Sequence, residues 1–165
     1  MADLLEATGL SKSSLYAAFS GKRDLFLAAF DAYRDERKKE MKRLLEGGTG
    51  REAVERFFGA IIKDAQDPTA PRYGCMSTNE AVELAPHDAE VRARVSADLT
   101  SIETAIAKTI HRGQADGSIS ADKDADRLAR ALLVAFPGLQ VMVRARLDDG
   151  FLDDAFRTVM SIILD

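Results

Sequence analysis

The chain has 165 residues, 46% of them hydrophobic and 30% charged, with a formal net charge of −4. That balance excludes global disorder, and four prolines and eleven glycines exclude a collagen-like or linker-dominated chain. A single cysteine, Cys75, excludes an intramolecular disulfide and a Cys-x-x-Cys zinc site.

The longest apolar stretch, around Ala131 to Leu139, is far shorter than the roughly 20 residues that cross a bilayer. The opening Met-Ala-Asp-Leu-Leu-Glu lacks the basic start and apolar run of a secretory leader. A cytoplasmic protein without a membrane partner is expected. Residues 1–46 carry nine Lys/Arg against eight Asp/Glu, and the remainder 14 against 19, so a charge of +1 precedes one of −5. The asymmetry permits a nucleic-acid-facing end without demanding one.

Helical periodicity recurs along the chain, and no sustained alternation marks a strand. Asp3 to Ala7 forms about one helical turn, closed by Thr8-Gly9, with Gly9 suited to the left-handed position after a helix. Ser11 caps a short helix over Lys12 to Phe19, and Ser20-Gly21 breaks it. A long helix starts near Lys22, with Asp24 in its first turn facing the positive end of the dipole. Its apolar face is Leu25, Phe26, Ala29, Phe30, Tyr33, Met41, Leu44 and Leu45. The charged segment Arg34 to Lys39 reads as solvated and held by pairs such as Asp35 with Lys39.

Gly47-Gly48-Thr49-Gly50 stops that helix, and Arg51 to Ala65 begins another with Val54, Phe57, Phe58, Ile61 and Ile62 inward. A loop over Asp67-Pro68-Thr69-Ala70-Pro71 leads to a helix over Gly74 to Leu84, ended by Ala85-Pro86. Asp88 caps a long helix whose stripe is Val91, Val95, Leu99, Ile102, Ile106 and Ile110. Gly113 to Ser120 is a turn, and Asp122 or Asp124 caps the next helix. That helix carries Leu128, Leu132, Phe136, Leu139, Val143 and Leu147, and Pro137-Gly138 should kink it. Asp148-Asp149-Gly150 is a turn, and Phe151 to Leu164 is the last helix. The fold class is all-α, with a boundary expected near residue 46: a DNA-binding part with its linking helix over 1–46, and a helical ligand-binding and dimerisation domain over 47–165.

The most informative stretch is LLEATGLSKSSLYAAFSGKRDL, residues 4 to 25. A short helix, a glycine turn and a second short helix opening on Ser-Lys-Ser-Ser is a helix-turn-helix layout. Serine hydroxyls and backbone N–H groups at a helix start meet phosphates, while lysine and tyrosine reach phosphates or base edges. Leu10, Leu15 and Phe19 face the other way.

In these residues the chain resembles the TetR family of transcriptional regulators. Gly9, Leu10, Ser11, Leu15, Tyr16, Phe19, Lys22 and Leu25 match the family pattern in order and spacing. The run Gly74 to Ala81, with Cys75, Met76 and Asn79, is similar to a subset of that family's effector domains. The resemblance implies DNA-facing positions at Lys12, Ser13, Ser14, Tyr16, Ala17, Ala18 and Lys22. It also implies a homodimer through the last two helices, with Leu132, Leu139, Val143, Phe156, Val159, Met160 and Ile163 as candidates. A family member has a full first helix and the start of a second ahead of the position of Met1. Leu4, Leu5, Leu15, Phe19 and Phe26 are therefore expected to lose apolar cover, and DNA binding by this polypeptide to be weak.

Effector candidates are Phe57, Phe58, Ile61, Cys75, Met76, Asn79, Ile102, Ile106, Phe136 and Gln140. They lie on faces that can converge around a small apolar ligand, although each apolar member also fits an ordinary core position. Asn79 and Gln140 stand out because an amide on an apolar face needs a partner. His87, His111 and Cys75 are too dispersed for a metal motif, and Cys75 has no sequence-adjacent base, so no catalysis, metal or cofactor is expected. The reading is a ligand-responsive repressor, a homodimer with operator DNA and an unidentified small apolar effector as partners. The alternatives are a dimeric small-molecule-binding module without DNA binding, and a helical enzyme dependent on Cys75 or His111.

Overall fold

A computed structural model describes residues 2–9, 11–67, 69 and 73–164, with the backbone alone at Ala2, Asp149, Ile162 and Ile163. Leu10, and Pro68, Ala70 and Pro71 of the expected loop, lie outside the described residues. Those described form α1 (Ala2–Thr8), α2 (Lys12–Ala18), α3 (Lys22–Leu45), α4 (Gly50–Gln66), α5 (Met76–Glu83), α6 (Ala89–Asp116), α7 (Ala125–Arg144) and α8 (Asp149–Leu164). No strand occurs among them, in keeping with the all-α expectation.

Short polar side chains start α2, α4, α6, α7 and α8 by accepting the first free backbone N–H groups, whereas α3 and α5 begin without a side-chain cap. Ser11 accepts from Ser14, Asp88 from Glu90 and Val91, Asp124 from Arg127, and Asp148 from Gly150 and Phe151. Asp124 rather than Asp122 is thus the cap of α7. Thr49 and Glu52 form a reciprocal capping box at the start of α4, a Thr-x-x-Glu signal missed in the sequence reading.

Three boundaries differ from expectation. Helix α6 runs through Gly113 to Asp116 and ends at Gly117, whose φ is +79°. Helix α5 begins only at Met76, because Gly74 is left-handed at φ +69°. A Cβ there would sit 2.9 Å from the Gln140 carbonyl oxygen, so this position needs glycine for both conformation and space. Helix α7 continues unbroken through Pro137-Gly138 but stops at Arg144, leaving Leu147 beyond it.

The apolar interior forms two clusters. The larger joins α3's C-terminal end, α4, α6, α7 and α8 around Phe58, Ile106, Ile110 and Leu132, all fully buried. Phe57 stacks on Phe136 at 5.8 Å, and Phe58 meets the same ring edge-on at 6.4 Å. The smaller cluster joins the first half of α3, α5 and the first half of α6 around Phe30, Val91 and Val95.

Helices α3 and α6 run parallel, as their contacts show: Arg23 meets Asp88 and Glu90, Asp31 meets Arg94, Arg34 meets Asp98, and Arg112 donates to the Leu45 carbonyl. The charged middle of α3 is therefore only partly solvated. Arg34 is half-buried between Asp31 (2.8 Å) and Asp98 (2.7 Å), and Lys39 pairs with Glu36 instead of Asp35. The Arg94 hydrogen bond, aided by Arg34, holds the Asp31 carboxyl below the usual aspartate range. A second junction lies at the start of α4. Gly50 packs on Gly113 of α6, its N–H donates to Asp116, and the Arg51 N–H donates to Ser118.

Gly50→Ala would place a Cβ 2.2 Å from the Gly113 nitrogen and 2.6 Å from the Thr109 oxygen. It should destabilise the fold by about 1–3 kcal/mol or more in urea titrations. Gly59→Ala, in the same helix with its nearest neighbour at 4.0 Å, should stabilise by about 0.5–1 kcal/mol. The lowered folded pKa of Asp31 stabilises the fold above its unfolded value, and that contribution disappears as pH falls through the folded value. Stability should therefore fall on acidification below about pH 4, with a shallower slope in Asp31→Asn by denaturant titration.

Candidate functional site

Three surfaces collect the residues singled out by sequence. The first is α2. One of its seven side chains, Leu15, is buried, while Lys12, Ser13, Ser14, Tyr16, Ala17 and Ala18 are exposed. Tyr16 is 46% exposed, so it is available to a partner instead of packing inside. The Ser11 hydroxyl holds the helix start by accepting the Ser14 N–H at 3.1 Å, and it hydrogen-bonds the Ser13 and Ser14 hydroxyls. Gly9, at φ +64°, turns the chain between α1 and α2. Lys22 is exposed at the first position of α3. Of the side chains expected to lose cover, Leu4 is exposed, Leu5, Phe19 and Phe26 are half-buried, and Leu15 is buried.

The second is a cavity of about 180 Å³ at the seam between the two apolar clusters, bounded by α3, α4, α5, α6 and α7. Of the ten effector candidates, Phe57, Cys75, Ile102 and Phe136 line it. The others do not: Phe58, Ile61 and Ile106 are consumed by the larger core and Met76 packs against the smaller one. Asn79 is half-buried and donates to the Tyr73 carbonyl at 3.0 Å. Gln140 is buried, with its backbone oxygen against Gly74.

The sequence reading missed the α3 wall of this cavity, made by Tyr33, Arg34, Arg37, Lys38, Met41 and Leu44. The signal was present, since Tyr33, Arg37, Met41 and Leu44 recur at steps of three and four, but the intervening charges hid it. At the inner end the Tyr33 hydroxyl donates to the Cys75 sulfur at 3.6 Å and accepts the Met76 N–H at 3.2 Å. Burial, and then the neighbouring thiol, push the phenol's pKa up, so it stays neutral. Asp98 joins three helices by accepting from Arg34 of α3 and from the Ser77 hydroxyl of α5 at 2.6 Å.

The third surface lies on α7 and α8. Leu132, Leu139, Val143 and Met160 are buried within the subunit and hold these helices to their own core, so they are unavailable to a partner. Phe156 and Val159 are half-buried against the same core, and the side chain of Ile163 lies outside the described residues. A different apolar stripe faces outward. Val134 is 77% and Phe151 55% exposed, joined by Val141 and Met142. Of the stripe that the expectation selected, Leu132, Leu139, Val143 and Met160 went to the intramolecular core.

The family described as tetracyclin repressor-like, C-terminal domain, matches residues 50–159. The HTH-type transcriptional regulator YezE of Bacillus subtilis (strain 168) is 29% identical over 163 residues, covering 98% of this chain and 84% of its own length. The HTH-type transcriptional repressor ComR of Escherichia coli (strain K12) is 29% identical over 146 residues, covering 87% of this chain and 69% of its own. Among solved structures, the TetR family regulator CifR, a cysteine mutant bound to 26-base-pair operator DNA, superposes with a TM-score of 0.84 at 28% identity. That match covers 98% of this chain and 84% of CifR. A helix-turn-helix joined by a long helix to a bundle matching that C-terminal domain places this chain in the TetR family of transcriptional regulators, a class of DNA-binding proteins and not of enzymes.

Proposed function

We propose that the chain acts in the cytoplasm as a ligand-responsive repressor, binding operator DNA as a homodimer with α2 in the major groove. One observation carries the proposal: Lys12, Ser13, Ser14, Tyr16, Ala17 and Ala18 of α2 are all exposed around its single buried anchor, Leu15, and Lys22 is exposed at the start of α3. Lys12, Ser13, Ser14 and Lys22 then serve phosphates, and Tyr16 with Ala17 and Ala18 approaches base edges. A homodimer supplies two such helices, to be set about 34–36 Å apart for successive major grooves. The outward stripe of Val134, Val141, Met142 and Phe151 is the surface that a second copy would cover.

The effector acts through α3. This helix begins beside α2 and lines the cavity with Tyr33, Met41 and Leu44. A ligand that changes the separation of α3 and α6 swings α2 and weakens DNA binding. By linkage, DNA weakens ligand binding by the same factor. A second reading, a dimeric ligand-binding module without DNA binding, draws on a different observation. Among the described residues neither apolar cluster includes a member of α1 or α2, and Leu4 is exposed.

Selection of the full chain against random duplexes should enrich a two-half-site sequence. On that duplex Tyr16→Ala should cost about 1–3 kcal/mol, and Lys22→Ala should reduce the salt slope by about one. Absence of enrichment favours the second reading. Phe151→Glu should give a folded monomer in sedimentation, whereas Leu139→Glu should unfold the subunit, because only the first lies on the outward face.

A further inference from the structure

We infer that the effector is a compact, uncharged molecule with one hydrogen-bonding oxygen, and that it enters through the groove between α3 and α6. The inference rests on the cavity being the effector site and adds the ligand's size, charge and route.

Size comes from volume. A cavity of about 150 Å³ lined by aliphatic and aromatic side chains holds benzene, so about 180 Å³ admits a six-membered ring and one or two further atoms. The apolar walls, Met41, Leu44, Phe57, Ile102 and Phe136, suit such a body.

Charge comes from the ionic groups in the lining. Arg34 is engaged by Asp31 and Asp98, the second oxygen of Asp98 by Ser77, and Arg37 by Glu40. Asp35 and Lys38 are exposed, carry opposite charges and lie three residues apart on α3. Asp35 and Lys38 stand at the exposed mouth shared with the groove, so an ionic ligand seated against the apolar walls would have to break a pair of Arg34, Asp98 or Arg37 or leave its own charge uncompensated there. A neutral ligand does neither. Its oxygen has a ready partner in Ser101, whose hydroxyl makes no hydrogen bond among the described residues and lies on the lining.

The route comes from shared walls. Asp35, Lys38, Met41, Ala97 and Ser101 line both the cavity and an open groove of about 1310 Å³ between α3 and α6. Ala97 and Ser101, on the α6 side, are small and make a low lip. A ligand crossing it lodges next to Asp98, where α3, α5 and α6 are tied together.

Titration calorimetry of the full chain with benzyl alcohol, benzoate and benzylammonium tests size and charge together. Benzyl alcohol should bind, and the two ions at least about tenfold more weakly. Ser101→Ala should weaken benzyl alcohol but leave benzene unchanged. Ala97→Trp, at an exposed position, should keep the helical circular dichroism and, by closing the lip, slow benzyl alcohol association at least about tenfold, read from ligand exchange rates by NMR. Equal binding of either ion overturns the charge assignment, an undiminished association rate in Ala97→Trp overturns the route, and no binding of any probe overturns the ligand class. Operator selection is scored separately. Lost DNA enrichment with intact benzyl alcohol binding refutes the repressor and spares this inference, while the reverse refutes only this inference.

Discussion

Helix α3 belongs to both ends of the molecule, and its parallel pairing with α6 fixes how those ends relate. Three sets of ion pairs, from Arg23 to Asp88 and Glu90, Asp31 to Arg94, and Arg34 to Asp98, recur at a nearly constant offset along the two helices. Single exposed pairs contribute little to stability. Their value here is registry, because several pairs along two rigid helices permit one relative position and penalise sliding. Arg34 also lies over the Phe30 ring, 5.9 Å from its centroid, so the charged rung is joined to the apolar cluster beneath it.

The two apolar clusters follow from this pairing. At one end Phe30 packs with Val91 and Val95, and at the other the aromatic trio of Phe57, Phe58 and Phe136 fills the bundle. The close approach of Gly50 to Gly113 joins α4 to α6 near the far end of the same helix. Between these fixed points the side chains do not fill all the space, and the cavity occupies the seam. A void between two well-packed regions is a suitable place for a ligand to act, because packed clusters move as units and transmit a displacement instead of absorbing it. Tyr33, bonded to Cys75 and to the backbone of Met76, links α3 to the start of α5 at that seam.

Helices α7 and α8 have a dual task. Leu132, Leu139, Val143 and Met160 point to the subunit's own core, while Val134, Val141, Met142 and Phe151 point away from it. A helix with two apolar stripes reads in sequence as one broadly hydrophobic helix. Period alone marks both stripes but gives no preference between an intramolecular and an intermolecular neighbour.

The sequence by itself determined what depends on short-range chemistry. The all-α class, the α1–Gly9–α2 turn, the Ser11 and Asp88 caps and the inward facing of Leu15 on α2 are all set by residues within a few positions of one another. Only the tertiary structure decided what depends on distant partners. Gly113 continues a helix instead of ending it because Gly50 packs there, Arg34 is half-buried because Asp98 lies across from it, and Phe58 and Ile106 became core while Tyr33 and Met41 became cavity wall. The physical reason is that capping and periodicity are properties of one segment, whereas a void or a free surface is what remains after every other segment has found its place.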